Sequence, residues 1–392
     1  MNHPIAVMGL PLDSVTSEEA VKAIEGLILS GGTHQVATAN LDFWLNSLSN
    51  PHLHRILAGC SLVIPDGMPL VWASKLLGTP LAERVTGVDL VPRLAELSAQ
   101  KGYGIYLLGG RDGVADRAAN LLAERYPGVR IVGTFAPFHG ELAQMDHSKI
   151  LNRINAAKPD ILLVAFGNPK QEKWIWMHRK RLGVPVSIGV GASFDILVGD
   201  AKRAPRWIQR GGMEWLMRML QEPGRLGPRY LRDFAALLQR LPLAVLADWA
   251  QREHRGPSMV TTAHDARLMH VYLHGKLTAE TAPALQRAVN SAVANGQLVV
   301  AHLKTVRQID AEGLGFLMGA RRQLLDAGLS LSLAGMTWMQ RFQFYAWCAM
   351  PLFDEWQSPR MQPETREAEA IPYLKLKVEK DALPSAQVRI RG

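Results

Sequence analysis

Short apolar runs, each closing on a polar or glycine-bearing turn and each followed by a helical pattern, fill the first 200 residues. The runs are Val36–Thr38, Ser61–Ile64, Ile105–Leu108, Arg130–Gly133, Asp160–Ala165 and Val186–Gly189. Helical spacing of apolar residues is read at about Met68–Leu77, Val88–Gln100, Val114–Tyr126, Leu142–Ala157 and Lys170–Arg181. This alternation predicts an α/β fold with a mostly parallel sheet, because parallel neighbours are joined by crossovers that lay helices on the sheet faces. Thr16 to Glu19 reads as a capping box that opens one more helix, to about Leu29.

In such sheets the carboxyl ends of the strands converge on one crevice, and ligands bind there. Five polar signatures fall at those ends: Thr38-Ala39-Asn40, Pro65-Asp66-Gly67-Met68, Glu83 to Asp89 (ERVTGVD), Leu107-Leu108-Gly109-Gly110 and Gly167 to Glu172 (GNPKQE). Five in one domain suit a large polar ligand and an enzyme. Asp66 follows a strand and precedes a helix, so its carboxylate either faces the crevice or caps the first turn of the helix at Met68. Thr38 and Asn40 close a strand, where both residue types also serve as plain turn formers. Gly109 and Gly110 allow backbone N–H groups to approach a phosphate or ribose. Their spacing to Gly113 is not G-x-G-x-x-G, and after Gly189 and Gly191 Phe194 stands where a third glycine belongs. Both turns therefore speak against a nicotinamide-dependent oxidoreductase, and Gly191 reads equally as a tight turn or a ligand contact. Lys170 and Gln171 stand at a helix start with Pro169 just before them, where a missing N–H costs nothing. Arg84 is either a phosphate or sugar partner or a solvated surface residue.

Between Lys202 and Arg232 lie eight lysines and arginines against Glu214 and Glu222, within a chain of net charge +9. So local a cluster points to an anionic partner at one face. Arg206, Arg210, Arg218, Arg225, Arg229 and Arg232 carry it, interleaved with Trp207, Trp215 and Tyr230, aromatics suited to a lipid headgroup layer. A solvated basic face is the plain alternative, and no nucleic-acid motif accompanies these arginines. The spacing predicts a helix from Arg206 to Leu220 ended by Pro223-Gly224, then a second from about Pro228, broken near Pro242. Arg252–Ser258 reads as a linker.

Read together and in order, these motifs resemble the WecG/TagA/CpsF glycosyltransferases (glycosyltransferase family 26), over roughly the first 240 residues. The resemblance implies a Rossmann-like, GT-E type domain over residues 1–204 and a basic helical appendage over 205–251 that completes the site and reaches the membrane. It also implies inverting transfer from a UDP-sugar (N-acetylmannosamine, its uronic acid or glucuronic acid) to a polyprenyl-diphosphate-linked acceptor in polysaccharide or cell-wall polymer assembly. On that resemblance Asp66 is the base that takes the acceptor proton, and Thr38 and Asn40 orient sugar and acceptor. Arg84, Gly109, Gly110, Lys170, Gln171 and Gly191 then bind substrate, and the six arginines of the appendage meet the diphosphates or the membrane. No Asp-x-Asp pair occurs in the chain, so no metal and no other cofactor is expected; arginines and helix N-termini would neutralise the leaving diphosphate.

The 392-residue length favours more than one domain. Beyond Ser258, a second alternation runs through His270–Leu273, Ala279–Ala294, Leu298–Leu303, Leu329–Leu333 and Thr337–Cys348. With the turn Ile309-Asp310-Ala311-Glu312-Gly313-Leu314-Gly315, it resembles a STAS domain over 258–355, and 356–392 forms a polar tail. Phospho-regulated STAS proteins carry Ser after that Asp; Ala311 removes the hydroxyl, leaving a protein partner or self-association as the expected role, with a non-catalytic regulatory scaffold as the alternative function. This part is expected to fold alone. Cys60 and Cys348 support neither a disulfide framework nor a zinc pattern. Residues 1–10 lack the pattern of a secretory signal, and the longest apolar runs fall short of the roughly 18 residues of a spanning helix. The expected location is cytoplasmic, peripheral on the inner face of the cell membrane.

Overall fold

The computed structural model describes residues 4–137, 140–201, 203–210, 212–249, 258–265 and 267–355. Residues 252–257 of the expected linker Arg252–Ser258, Lys202 and the tail after 355 lie outside these, as do the side chains of Arg206, Arg210 and Arg225. A hairpin of β1 (Ile5–Val7) and β2 (Leu10–Leu12) comes first. Then follow α1 (Ser17–Ser30), β3 (His34–Ala39), α2 (Leu41–Ser49), α3 (Pro51–Ala58), β4 (Leu62–Pro65), α4 (Met68–Leu76) and α5 (Gly87–Lys101). The chain continues through β5 (Gly104–Gly109), α6 (Val114–Arg125), β6 (Arg130–Phe135), α7 (His147–Ala157), β7 (Ile161–Ala165), α8 (Lys170–Leu182), β8 (Val186–Gly189) and α9 (Ser193–Leu197). The basic stretch forms α10 (Arg206–Arg210), α11 (Glu214–Gln221) and α12 (Pro223–Trp249). The last part is β9 (Met259–His264), β10 (Leu268–Leu277), α13 (Ala282–Asn295), β11 (Leu298–Ile309), α14 (Ala311–Asp326), β12 (Leu331–Ala334), α15 (Trp338–Ala346) and β13 (Asp354–Glu355).

The six predicted strands form one sheet, parallel in every pairing, in the order β4-β3-β8-β7-β5-β6. Residues 62–65, 161–165 and 186–189 are buried on both faces, as continuous apolar runs between helix layers require. The Thr16–Glu19 capping box is present. In the second sheet, order β13-β12-β11-β10-β9, only β9 runs antiparallel to its neighbour. Asp310 accepts from Gly313 N–H at 2.7 Å and so caps α14, while Ala311 is buried behind it.

Two expectations change. The helix expected over Arg206–Leu220 ends at Gln221, just before Pro223, but forms two pieces, α10 and α11; Pro223 then begins α12, which runs unbroken through Pro228 and Pro242. The bond that Pro242 forfeits belongs to Leu238, which lies on the solvent side. The second sheet is also not packed by itself. The β1–β2 hairpin turns on Met8 and Gly9, both at positive φ, and a Cβ on Gly9 would lie 2.6 Å from the Cys348 carbonyl oxygen. Trp44 Nε1 and His54 Nε2 donate to the Met8 and Gly9 carbonyls at 2.9 and 2.8 Å. A side chain at Gly315, inside α14, would collide with the Pro4 carbonyl. Val7, Leu10, Leu53, Ile56, Leu314, Leu317 and Trp347 consequently belong to one apolar cluster that continues from the first sheet into the second. On α12, Leu237, Ala244 and Ala247 join the same cluster, and the Ala244 carbonyl accepts from Trp347 Nε1 at 3.1 Å.

Candidate active site

Where β3 and β4 end side by side, Asp66 N–H donates to the Ala39 carbonyl at 2.8 Å, and a Cβ on Gly67 would lie 3.3 Å from the Asn40 Cβ. The two signatures Thr38-Ala39-Asn40 and Pro65-Asp66-Gly67 are therefore one surface. Asp66 does not cap α4; Gly67 holds the cap position with no side-chain bond. Instead the Asp66 carboxylate accepts from the Gly87 N–H at the start of α5. Val85 N–H donates to the Pro65 carbonyl at 2.9 Å, which pins the ERVTG segment against the end of β4 and delivers Arg84 to the same corner.

Arg84 is not a solvated surface residue. Its side chain is 15% exposed, and its Nη1 donates to Glu214 Oε2 at 2.9 Å. Glu214 lies 3.8 Å from Arg203 Nε and 3.9 Å from Arg218 Nη2, while Arg203 Nη2 donates to Asp89 at 2.7 Å. Three arginines from three segments thus converge on one buried carboxylate beside Asp66. Desolvation pushes Asp66 up to about 7; Arg218, Arg84 and the Gly87 N–H pull it down and Glu214 pushes it further up. Asp89 is partly desolvated, yet hydrogen bonds from Arg203 and Thr86 hold it below the usual carboxylate range. The arrangement offers a carboxylate poised to exchange a proton near neutrality, flanked by cations able to face a diphosphate. Glu214, Arg203 and Asp89 were not among the expected site residues, although Asp89 closes the ERVTGVD signature. For Arg203 and Glu214 the pointer was the local excess of charge, which counted Glu214 against the cluster that it organises.

Other expected contact residues also make internal bonds. The Thr38 hydroxyl is buried and donates to the Gly189 carbonyl at 3.0 Å, joining β3 to β8. Asn40 Oδ1 accepts from Phe43 N–H at 3.2 Å and caps α2. Gln171 is 1% exposed, and its amide oxygen accepts from the Gly167 and Gly191 N–H groups at 3.1 and 3.0 Å. Lys170 Nζ donates to the Gly140 carbonyl at 2.7 Å. These four side chains hold the loops at the strand ends. Gly109 needs to be glycine: its φ is +102°, and a Cβ would lie 2.7 Å from the Ala165 carbonyl oxygen. Gly110 N–H donates to that carbonyl at 3.1 Å. Gly191, at φ +56°, has open space where a side chain would stand.

A second wing opens where α12 crosses α2. Arg232 Nη2 donates to Asp42 Oδ1 at 3.2 Å, and Asn168 Nδ2 donates to Asp42 Oδ2 at 3.0 Å. With Asn46, Pro228 and Arg229, these residues line a cavity of about 500 Å³. Arg229 and Arg232 therefore stand at the loop signatures, and Arg218 stands near Asp66. Among the described residues, no group of three or more His, Cys, Asp or Glu is placed to hold a metal ion, and no helix is long and apolar enough to cross a membrane.

Residues 5–255 match the model of the glycosyl transferase WecG/TagA/CpsF family, and residues 260–345 match that of the MlaB-type STAS domain. An N-acetylglucosaminyldiphosphoundecaprenol N-acetyl-beta-D-mannosaminyltransferase from Bacillus spizizenii is 32% identical over 190 residues, covering 48% of this chain and 72% of that protein. The enzyme of the same name from Staphylococcus aureus is 29% identical over 225 residues, covering 57% of this chain and 87% of its own length. The anti-sigma factor antagonist SpoIIAA, in its unphosphorylated form, aligns with 22% of this chain and 83% of its own at 17% identity and a TM-score of 0.20. The chain belongs to the WecG/TagA/CpsF glycosyltransferase family, extended by a STAS domain at residues 260–345.

Proposed function

We propose that this chain moves a sugar from a UDP-sugar, with inversion, to a sugar linked through a diphosphate to a polyprenol, on the inner face of a membrane. The observation that carries the reading is the half-buried Asp66 carboxyl, near-neutral in pKa, beside Arg84, Arg203 and Arg218. Asp66 takes the proton of the acceptor hydroxyl as that oxygen attacks the anomeric carbon. The arginines and the Gly109–Gly110 turn stabilise the departing diphosphate. The names of the relatives favour N-acetylmannosamine as the donor sugar and N-acetylglucosamine as the acceptor sugar. Membrane contact is supported by α12. Its exposed face carries Leu231, Leu238, Leu246 and Trp249, while its two carboxylates, Asp233 and Asp248, are buried. The STAS domain binds a protein partner or a second copy of the chain.

Calorimetry against UDP-N-acetylmannosamine, its uronic acid and UDP-glucuronic acid, each with and without EDTA, tests the donor. Transfer to a short-chain lipid-linked N-acetylglucosamine diphosphate then tests the reaction. Binding of one UDP-sugar that survives EDTA, followed by transfer, is expected. Failure of all three to bind would overturn the reading.

A further inference from the structure

Among the described residues, two histidine pairs bond ring to ring, and they differ in what else touches them. His147 and His178 join α7 to α8 with ring nitrogens 3.2 Å apart, and Trp174 Nε1 donates to the same His147 Nδ1 at 3.2 Å. His178 is buried, so this pair is a brace whose accepting nitrogen is spent. His270 and His302 stand differently. On β10, Met269, Val271 and Leu273 are buried with Leu285, Val289 and Leu314 of α13 and α14, which turns His270, Tyr272 and His274 to the opposite face of the sheet. β11 runs parallel beside β10 and sets His302 level with Tyr272. On the other side β9 places Ala263 opposite His270 and Thr261 opposite Tyr272, both small and exposed.

His270 Nδ1 lies 3.0 Å from His302 Nε2, and among the described residues neither ring is hydrogen-bonded to any other group. Tyr272 stacks on His302 with centroids 4.3 Å apart and planes at 15°, which steadies that ring. His274 is engaged by the Thr305 hydroxyl at 2.8 Å and takes no part. An imidazole nitrogen binds a divalent ion at about 2.0–2.1 Å, so two of them on one tetrahedral ion stand about 3.3 Å apart. The observed 3.0 Å is close to that separation, and the rest is a swing of each ring about χ2, a soft torsion. Burial and the neighbouring His270 hold the His302 pKa below the usual value, which favours the neutral ring that a metal requires. Asp265 is held below the usual carboxylate range by the Arg267 and Leu268 N–H groups and, in smaller part, by His270, so a negative charge stands near the pair.

We propose that His270 and His302 form a two-imidazole site for a divalent ion of the zinc class on the helix-free face of the STAS sheet. The proton that lies between the rings moves to the far nitrogen of its own imidazole, and the two facing lone pairs then turn to the ion. No proton is released and both ligands stay neutral. Imidazole donors select zinc, copper or nickel over magnesium and calcium, which ask for oxygen ligands. Two protein ligands leave two corners of a tetrahedron for water or for a side chain of a protein that meets this face. The site takes no part in the transfer chemistry and does not rest on that reading.

Calorimetry of the untagged, EDTA-stripped full chain with zinc alone tests the site, beside His270→Gln, His302→Gln and, as a control on the buried pair, His147→Gln. The natural chain should bind one zinc that His270→Gln and His302→Gln each weaken about ten-fold or more, since even a ligand's outer partner is worth that much. His147→Gln should leave this binding unchanged, and magnesium should not compete for it. Melting without metal checks that both half-exposed rings are replaced without loss of the fold. A second readout needs no variant: the natural chain loaded with one copper ion should show two coupled imidazole nitrogens by pulsed electron paramagnetic resonance. No zinc binding by the natural chain, zinc binding that both sheet-face variants leave untouched, or a copper signal from fewer than two imidazoles would overturn the site.

Discussion

Arg84 Nη1 meets Glu214 Oε2 at 2.9 Å, joining the segment before α5 to the first turn of α11 across 130 residues of sequence. The pair is desolvated, with side chains 15% and 8% exposed, and Arg203 and Arg218 close around the same carboxylate. Removing one partner from such a pair is costly, whereas changing its charge isosterically is informative. Glu214 is thus both the anchor that docks the basic helices and a negative charge beside the base.

Glu214→Gln keeps an acceptor for Arg84 and deletes that charge. The groups around Asp66 are Arg218 on α11, Arg84, Glu214, the Gly87 N–H on α5, and Arg203. Without Glu214 the cations are less compensated, so Asp66 should ionise at lower pH. Transfer by the natural chain should rise with pH through about 7. In the variant, that limb should move down by on the order of one pH unit, with a lower plateau because a weaker base remains. A rate profile whose acid limb does not move would leave Glu214 with a purely structural role.

Asp66→Asn should retain UDP-sugar binding and the melting temperature, while transfer falls on the order of a hundred- to ten-thousand-fold. Single-turnover rates alongside calorimetry separate the two quantities. Turnover within a few-fold of the natural chain would remove Asp66 from the chemistry.

The sheet was legible because β4, β7 and β8 are buried on both faces and read as unbroken apolar runs, and because Gly, Pro and Asn punctuate the strand ends. The hairpin at residues 5–12 was not. Three-residue strands leave no period to count, and the partners of Val7 and Leu10 lie more than 300 residues away at Leu314 and Trp347. For the same reason the second sheet looked self-sufficient: a local strand–helix alternation does not reveal that Gly315 is small to admit Pro4. At the candidate site, residue types marked the loops at the strand ends but not which side chains face outward. Gln171 and Thr38 sit in the most telling strings and are buried braces. Glu214 was read only as a charge against the basic cluster, because its role depends on Arg84 and Arg203, outside its own helix.

Glu172 predicts a pH dependence of stability. It is 0% exposed, and burial pushes its carboxyl up to about 8, only partly offset by the Gln171 amide. The folded pKa exceeds the unfolded value near 4.5, so the folded state keeps a proton that the unfolded state has lost. This residue therefore weakens the fold progressively as pH rises from about 4.5 to about 8, and no further above that. Glu172→Gln should match the natural chain at pH 4 and exceed it at pH 8 by roughly a few kcal/mol. Urea unfolding at the two pH values measures this, and equal differences at both would contradict a protonated Glu172.

On α12, Leu238 and Leu246 are 71% and 59% exposed, so charged residues there should fold normally. Leu238→Glu with Leu246→Glu should release the chain from anionic vesicles. Raising salt should weaken binding of the natural chain, because Arg229 and Arg232 act through a field screened within about 8–10 Å. Cosedimentation that ignores both treatments would assign membrane contact to another surface.

The two sheets should melt together. Asp13 lies at the base of the first sheet, where its Oδ2 accepts from Val63 N–H at 2.7 Å. Arg322 on α14 approaches that oxygen to 3.7 Å and donates to the Ser61 carbonyl at 3.2 Å. Burial raises the Asp13 pKa, and Arg322 is the main group opposing it. Arg322→Ala would strand a buried carboxylate, a change that typically costs about 3–5 kcal/mol. Adding Asp13→Asn should recover part of that loss, because the uncompensated charge goes too. If the shared cluster of Val7, Leu10, Leu314 and Trp347 makes one cooperative unit, calorimetry should show a single transition in the natural chain. That transition should move down intact in Arg322→Ala and partly back in the double variant. Two resolved transitions in the natural chain, with only the later one insensitive to Arg322, would mean that the STAS domain is an independent passenger on the first sheet.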